Sequence, residues 1–283
     1  MTATPAVAER ISLVISDVDG TLLDSKKILS PGAPAAVQRL YAAGLRFTIA
    51  SARPPRMVRK LVDALDVREP FASFNGAVIV GPDEKILKEY PMPPDDAQFV
   101  ADWIRQHGFE LWVWTNNDWL VTSAAGEHVA HHEKEMGRPP TMLTNQKISE
   151  LDVLKLVGVS DDHPALAAAE QELAAIGTKT ISATRSSPYY LDVTAAEANK
   201  GSVVLAISEL LNIPRNEIAT IGDMSTDVLM FKKSGISIAM GNALDDVKAQ
   251  ATFVTKTNDE DGFAYAMDTF VIRLSKQVTA AKR

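Results

Sequence analysis

The 283-residue sequence predicts an α/β protein whose doubly wound, mostly parallel sheet is interrupted by an inserted α+β unit. Before about residue 80, buried-strand patterns alternate with amphipathic helices, which is typical of parallel sheets with crossover helices. Short strands and hairpins then replace this alternation of strands and helices, which resumes from Tyr189 onward. We therefore expect a Rossmann-like core from residues 1–82 and 189–283, and an inserted cap domain from residues 83–188, linked near Gly81-Pro82 and Ser186-Ser187-Pro188.

The first core segment predicts alternating strands and helices. Runs of apolar and β-branched residues mark the strands, at 11–16, 45–50 and 71–80. Proline near the first helical turn marks the helices, at 31–43 and 54–65. In a sheet of this kind the carboxyl ends of the strands border one crevice, so residues that follow the strands are candidates for a shared site.

The middle segment predicts shorter elements of mixed type. Strand patterns lie at 86–90, 110–115, 119–123, 153–159 and 178–183, and helix patterns at 95–107, 126–137 and 163–176. Asn116-Asn117-Asp118 separates two of the strands and predicts a hairpin. Hairpins and single helices of this kind indicate an α+β unit separate from the core.

The last segment resumes the strand and helix alternation of the first. Strands are expected at 190–193, 218–221, 236–240 and 253–254, with helices at 201–211, 227–234, 244–251 and 261–274. We expect the tail at 276–283 to be frayed. Because two core segments flank the insertion, a cleft between the two units is the expected place for a small-molecule site.

Composition restricts the classes of function. The formal net charge of −7 argues against a nucleic-acid partner or an anionic membrane surface. The chain has no cysteine, so a metal site must use oxygen or histidine ligands. No apolar run reaches the roughly 18 residues of a membrane span. The first residues lack the pattern of a secretory signal, and we expect a cytoplasmic location.

Two carboxylates follow the first predicted strand. Asp17 and Asp19 alternate with Val18, so an extended backbone turns both side chains to the same side. Carboxylates held this close repel each other, and a hard cation such as Mg²⁺ relieves the repulsion. The alternative is a solvated Asp-Gly turn at Gly20.

Other strand ends and helix starts carry further polar groups. Ser51 follows the second strand and is either an anion ligand or a helix N-cap, and Arg53 beside it can be a surface charge. Lys200 begins a helix, where its charge opposes the helix dipole unless an anion lies nearby; the alternative is a solvated lysine. Asp223 and Asp227 follow a third strand, and Asp227 can also be a first-turn acid.

These motifs as a set resemble the haloacid-dehalogenase-like superfamily. The resemblance rests on DVDGT at 17–21, Ser51 after a strand, Asn199-Lys200-Gly201, and GDMSTD at 222–227. The insertion between the second and third motifs resembles the Cof-type branch, in which phosphatases carry a large α/β cap. Accessory signatures of that branch stand at 75–77, 239–243 and 258–262.

The resemblance implies a role for each matched residue. Asp17 would attack phosphorus and form an aspartyl-phosphate, and Asp19 would protonate the leaving oxygen and then activate water. Mg²⁺ would be held by Asp17, the backbone carbonyl of Asp19 and Asp223, with Asp227 supporting. The phosphoryl oxygens would contact the positions of motifs two to four, which are Ser51, Ala52, Lys200 and Thr226.

This sequence departs from the family pattern at two positions. Ala52 replaces the glycine that usually follows the hydroxyl residue of the second motif, and Thr226 replaces the asparagine that usually precedes the last aspartate. Thr226 keeps a hydroxyl but lacks the reach and the donors of an amide. These changes affect the fine geometry of phosphate binding rather than the class of reaction.

The resulting hypothesis is a Mg²⁺-dependent phosphatase of small phosphorylated metabolites, with sugar phosphates as the expected class. The rivals are a phosphomutase of the same superfamily, such as the phosphomannomutase type, and a degenerate protein that binds phosphate ligands as a sensor. The sequence leaves the oligomeric state and the particular ester open.

Two clusters in the cap have alternative interpretations. His128 and His132 stand four residues apart on a predicted helix, with His131 beside them, and form either a metal pair or part of an exposed polar helix. Trp112 and Trp114 share one face of a strand and either stack on a sugar or pack inside the cap.

Overall fold

The computed structural model describes residues 10–176 and 179–275, and within them the elements alternate much as expected. The strands are β1 Leu13–Ser16, β2 Arg46–Ile49, β3 Phe71–Ser73, β4 Val78–Val80, β5 Ile86–Glu89, β6 Glu110–Trp114, β7 Trp119–Val121, β8 Thr141–Met142, β9 Lys155–Val159, β10 Ile181–Ser187, β11 Tyr190–Ala195, β12 Ile218–Gly222, β13 Ile236–Ala239 and β14 Phe253–Val254. The helices are α1 Ala33–Ala42, α2 Pro55–Ala64, α3 Pro94–Gln106, α4 Glu127–Met136, α5 His163–Ile176, α6 Lys200–Leu211, α7 Val228–Phe231, α8 Asp245–Lys248 and α9 Gly262–Ala266.

The core sheet is parallel and confirms the predicted fold class. Its spatial order is β14-β13-β12-β1-β2, so β1 lies between β12 and β2. Leu13 pairs with Ile218 on one side and with Arg46 on the other, and β1 is fully buried. The loops that follow β1, β2 and β12 therefore leave the sheet at the same edge, where Asp17, Ser51 and Asp223 begin them.

The cap sheet includes a strand that we expected in the core. Its six strands have the order β10-β11-β9-β6-β7-β8, and β11 pairs antiparallel with both β9 and β10. The pattern at 190–193 fits a strand in either unit, because hydrophobic alternation does not specify a pairing partner. Since β11 ends at Ala195, we now propose that the inserted cap extends to that residue rather than to residue 188.

The segment 71–80 forms a hairpin and not the single strand that we predicted. Phe74 and Asn75 have φ of 50° and 56°, which reverses the chain between β3 and β4. β4 then pairs with β5, so Gly81 and Pro82 lie in the turn between these strands. We therefore propose that the chain crosses into the cap after β5, rather than at the predicted linker near Gly81-Pro82, and returns between Ala195 and α6.

The remaining predictions differ from the structure mainly in length. The helix expected at 227–234 is instead a 3₁₀ turn, Ser225–Asp227, followed by the short helix α7. The helix expected at 261–274 consists of α9 and a π-helix over Met267–Ile272 that continues it. The tail at 276–283 and residue 178 lie outside the described residues. Within the part of the chain that the structure describes, no helix combines the length and apolarity needed to cross a membrane.

Candidate active site

A buried lysine joins two of the sequence-predicted acids. Lys200 Nζ lies 2.6 Å from Asp17 Oδ1 and 2.5 Å from Asp227 Oδ1. The side chain of Asn199 accepts a hydrogen bond from the backbone N–H of Ser202 at 3.0 Å, which begins α6 and fixes the position of Lys200. Lys200 is only 4% exposed, so it is not the solvated lysine of the alternative interpretation.

Negative charge exceeds positive charge in this cluster. Burial raises the pKa of Asp17 to about 8; Lys200 opposes this rise, whereas Asp227 and Asp223 add to it. Burial also raises the pKa of Asp223, to about 7, and Asp227 contributes to that rise. These raised pKa values indicate that one ammonium does not offset the negative charge of three neighbouring carboxylates.

The residues present fit a divalent metal ion. Carboxylate oxygens of Asp17, Asp223 and Asp227 lie within 4.8 Å of one another. Asp17 Oδ2 and Asp223 Oδ1 are buried and have no hydrogen-bond partner. Because unpartnered buried oxygens are costly and Mg²⁺ takes carboxylate ligands, an ion that binds both oxygens removes that cost. Asp227 Oδ2 accepts from the backbone N–H groups of Asp223 and Met224 at 2.9 Å, which suits a supporting role.

Close packing and a side-chain amide position Asp223. Gly20 has φ of +79°, and a Cβ there would lie 2.2 Å from Asp223 Oδ2, so this position requires glycine. Asn242 Nδ2 donates to the carbonyl of Gly20 at 3.0 Å and to Asp223 Oδ2 at 3.2 Å. Asn242 belongs to an accessory signature whose role the sequence alone left unassigned.

The carboxylate of Asp19 lies apart from the metal-binding group. Arg53 donates two hydrogen bonds of 2.7 Å to it, and Lys27 Nζ donates a third at 2.9 Å. Burial favours the neutral acid, but the hydrogen bonds and charges of Arg53 and Lys27 outweigh this effect and lower the pKa of Asp19 to about 2. Asp19 is therefore ionised at neutral pH in this arrangement.

Sequence reasoning missed the ion pair between Arg53 and Asp19. We allowed that it was a surface charge, but its side chain is only 19% exposed. The signal was its place in the second motif, which in the family usually reads hydroxyl-glycine-arginine. Lys27 carried no such signal, because it lies in a polar loop outside the motifs.

The phosphate-binding candidates divide into two groups. Ala52, Lys200 and Thr226 line a cavity of about 330 Å³ that also contains Asp17 and Asp19. Ser51 is 1% exposed, and its hydroxyl accepts a hydrogen bond from the backbone N–H of Arg53 at 3.1 Å. Ser51 is therefore not the N-cap of α2, whose N-cap residue is Pro54, and its hydroxyl instead accepts within the turn that precedes the helix.

The cap closes the other side of this cavity. Lys155 Nζ lies 2.8 Å from Asp192 Oδ2 and 3.5 Å from the carbonyl of Ala52 in the core. Both members of this pair are almost fully buried. The lining residues of the cap also include Ser187 and Tyr190, so one cavity borders both the sheet edge and the cap.

The histidine and tryptophan clusters differ in their surroundings. His128 Nε2 lies 2.8 Å from Asp161 Oδ1, whereas His132 packs against Trp112, Trp114 and Trp119. Burial, with a contribution from Lys155, lowers the pKa of His132 to about 3, so this ring is neutral. Trp112 and Trp114 are 1% and 3% exposed, which favours packing inside the cap over sugar stacking.

The fold and this site together define an α/β enzyme of the phosphoryl-transfer class. The sequence profile of haloacid dehalogenase-like hydrolases matches residues 14–267, and the chain belongs to this family. The resemblance that we inferred from the four motifs is therefore confirmed.

Relatives and solved structures agree with this assignment. The chain is 28% identical to the 5-amino-6-(5-phospho-D-ribitylamino)uracil phosphatase YwtE of Bacillus subtilis, over 89% of this chain and 95% of that protein. It is 27% identical to a putative phosphatase of Haemophilus influenzae, over 90% and 96% of the two chains. The crystal structure of a haloacid dehalogenase-like hydrolase from Bacteroides thetaiotaomicron superposes with a TM-score of 0.79 at 27% identity, covering 92% and 99% of the two chains. The chain is thus a phosphoric monoester hydrolase of this family.

We expect Arg53→Met to lower kcat/KM for phosphate esters by about 10- to 100-fold, because the variant loses a guanidinium that lines the active cavity and can pair with the phosphoryl oxygens once it leaves Asp19. Steady-state phosphate release measures the effect. Arg215→Met, at an exposed arginine outside both this cavity and its neighbour, is the matched control and should leave the rate unchanged. Equal rates for the two variants would show that Arg53 does not serve the reaction.

Proposed function

We propose that the protein is a Mg²⁺-dependent phosphatase of small phosphorylated metabolites whose leaving group carries several hydroxyls. One observation carries the proposal: the unpartnered Oδ2 of Asp17, in a buried acidic cluster, belongs to the cavity that the cap covers. A carboxylate nucleophile beside a cation is suited to attack on a phosphoryl group.

Asp17, Lys200 and Asp19 carry the proposed reaction. A carboxylate oxygen of Asp17 forms a bond to phosphorus while the bond between phosphorus and the ester oxygen breaks. The ammonium of Lys200 lowers the repulsion between the anionic Asp17 and the phosphoryl group. Asp19 gives the leaving oxygen its proton and later takes a proton from the water that cleaves the aspartyl-phosphate. Donation requires Asp19 to be protonated first, so Arg53 and Lys27 must move away from it when substrate binds.

Mg²⁺ fits this scheme as a cofactor. Asp17, the backbone carbonyl of Asp19, and Asp223 would hold it, with Asp227 supporting. When bound, it supplies positive charge to the phosphoryl oxygens. The unpartnered oxygens of Asp17 and Asp223 support this part of the proposal.

Polar atoms of the cap support a hydroxyl-rich leaving group. Each of them is buried, has no hydrogen-bond partner and belongs to a residue that lines the cavity: His132 Nε2, Ser187 Oγ, Tyr190 Oη and Asp192 Oδ1. Hydroxyl groups both donate and accept, so a polyol or sugar can satisfy such a mixed set. The name of the Bacillus subtilis relative describes a substrate with a phosphorylated ribityl chain. Such a chain carries several hydroxyls, so it would be a leaving group of this kind.

We expect the double variant Ser187→Ala, Tyr190→Phe to lower kcat/KM for ribitol 5-phosphate by about 30-fold, since it loses two hydrogen bonds worth about 1 kcal/mol each. Activity on p-nitrophenyl phosphate, whose leaving group has no free hydroxyl, should stay the same. Tyr265→Phe, at an exposed tyrosine in α9, is the control. An equal loss on both substrates, or no loss on either, would contradict the assignment of these residues to the leaving group.

A panel of phosphate esters tests the proposed function and its rivals. Sugar phosphates, polyol phosphates and p-nitrophenyl phosphate are incubated with the protein and Mg²⁺, and orthophosphate and isomeric esters are both quantified. A phosphatase releases orthophosphate, a phosphomutase forms an isomeric ester, and a sensor does neither. Either of the last two results would overturn the proposal.

A further inference from the structure

A second cavity, of about 660 Å³, lies between the core and the cap. Its walls are α2, the β3–β4–β5 sheet, the loop between β6 and β7, and Arg138 beyond α4. Among the described residues, only Pro54 lines both this cavity and the active cavity. The volume is within the range of about 300–1,000 Å³ that is usual for sites of small organic ligands.

The lining of this second cavity is positively charged, although the whole chain is acidic. Its cationic residues are Arg56, Arg59, Lys60 and Arg138, and its acidic residues are Glu84 and Asp118. Asp63 pairs with Arg59 at 2.7 Å, and Lys60 Nζ donates to the carbonyl of Glu135 at 2.8 Å. Arg56 and Arg138 form none of the salt bridges found among the described residues, so their charges are available to pair with a bound anion.

Two buried polar atoms in this lining lack a hydrogen-bond partner. They are Arg138 Nε, a donor, and Asn116 Oδ1, an acceptor. Arg138 Nη2 donates to the carbonyl of Asn117 at 2.9 Å, and the amide nitrogen of Asn116 donates to Glu89, so both side chains are held in place. Leaving such atoms without a hydrogen bond is costly. A fixed donor and a fixed acceptor in a cavity of this size therefore indicate a ligand that forms hydrogen bonds with both.

The rest of the lining is mostly apolar. Ile86, at the start of β5, is 46% exposed and contributes to it, together with Pro55, Val78 and Met136. Phe71, Phe74 and Trp114 are each nearly fully buried, so they support this surface from behind. Such a lining favours an apolar group on the ligand.

We propose that this second cavity binds an organic anion with an apolar body, whose acidic group pairs with Arg138 and Arg56. This site is separate from the active cavity and does not depend on the proposed function. A bound ligand contacts α2 of the core together with Asn116 and Arg138 of the cap, so it stabilises the relative position of the two units seen here.

Calorimetric titration of the full chain with 2-naphthalenesulfonate tests the proposal. We expect one binding site per chain whose affinity is unchanged in the variant Arg53→Met, because Arg53 lines the active cavity and not the second cavity. Arg138→Met should weaken binding by about 10-fold or more, since a charge-assisted hydrogen bond is lost. Arg105→Met, at a cap arginine on α3 outside this lining, is the matched control and should bind normally.

Absence of binding to the unsubstituted chain would overturn the proposal, and so would a loss of binding in Arg53→Met or normal binding to Arg138→Met. If Arg138→Met does not fold, as judged by its thermal unfolding midpoint, the exposed Arg56→Met replaces it, with the same expected loss and the same contradictory result.

Discussion

Asp17→Asn should abolish phosphate release, with kcat falling by roughly 10³-fold or more, as for loss of a nucleophile in other enzymes. The amide has almost the same shape as the carboxylate but is a poor nucleophile. The substitution also removes one of three acids from a cluster with a single ammonium, and Lys200 keeps its ion pair with Asp227. The fold should therefore survive, which circular dichroism and the thermal unfolding midpoint check.

The matched control for this experiment is Asp245→Asn. Asp245 is a fully exposed acid at the start of α8, with a side-chain exposure of 103%, and its loss should not change the rate. Appreciable turnover by the purified, folded Asp17→Asn variant would falsify the assignment of Asp17 as the nucleophile.

Removal of divalent metal is expected to have an effect of similar size. Exhaustive chelation should eliminate activity, Mg²⁺ should restore it, and Ca²⁺ should restore it poorly because Ca²⁺ prefers a larger and looser coordination shell. The physical reason is that Asp17, Asp223 and Asp227 form a buried group whose negative charge one lysine only partly balances.

A binding measurement complements the activity assay. Mg²⁺ should raise the thermal unfolding midpoint of the unsubstituted chain, because an ion that binds only the folded state stabilises it. Asp223→Asn should lose most of this increase, whereas Asp245→Asn should keep it. Full activity after chelation, or an equal Mg²⁺ effect in both variants, would exclude the proposed metal site.

The sequence allowed the central part of the site to be predicted because its residues follow parallel strands. Asp17 and Asp223 directly follow the neighbouring strands β1 and β12. The strand order therefore brings the two residues together independently of how the cap folds. Lys200 was less certain, since a lysine at a helix start is usually solvated. Its contact with Asp17 depends on how α6 packs, which local pattern does not reveal.

The parts that could not be predicted depend on tertiary pairing. β11 has an ordinary strand pattern, and only its hydrogen bonds to β9 place it in the cap. The reversal at Phe74 and Asn75 requires positive φ at two residues other than glycine. The dipeptide Asn75-Gly76 is a turn signal, but a strand prediction over 71–80 that followed the apolar run did not use it. Lys155 and Asp192 lie on separate cap strands, so their ion pair exists only after the cap sheet has formed.

Phosphorus NMR of a sugar phosphate incubated with the protein and Mg²⁺ tests the central claim most directly, because it resolves the starting ester, isomeric esters and orthophosphate in one spectrum. The account predicts that the ester signal decays into orthophosphate alone, and that the Asp17→Asn variant leaves the spectrum unchanged. Accumulation of an isomeric ester without orthophosphate would contradict hydrolysis, as would a stable ester signal across the whole substrate panel with the unsubstituted protein.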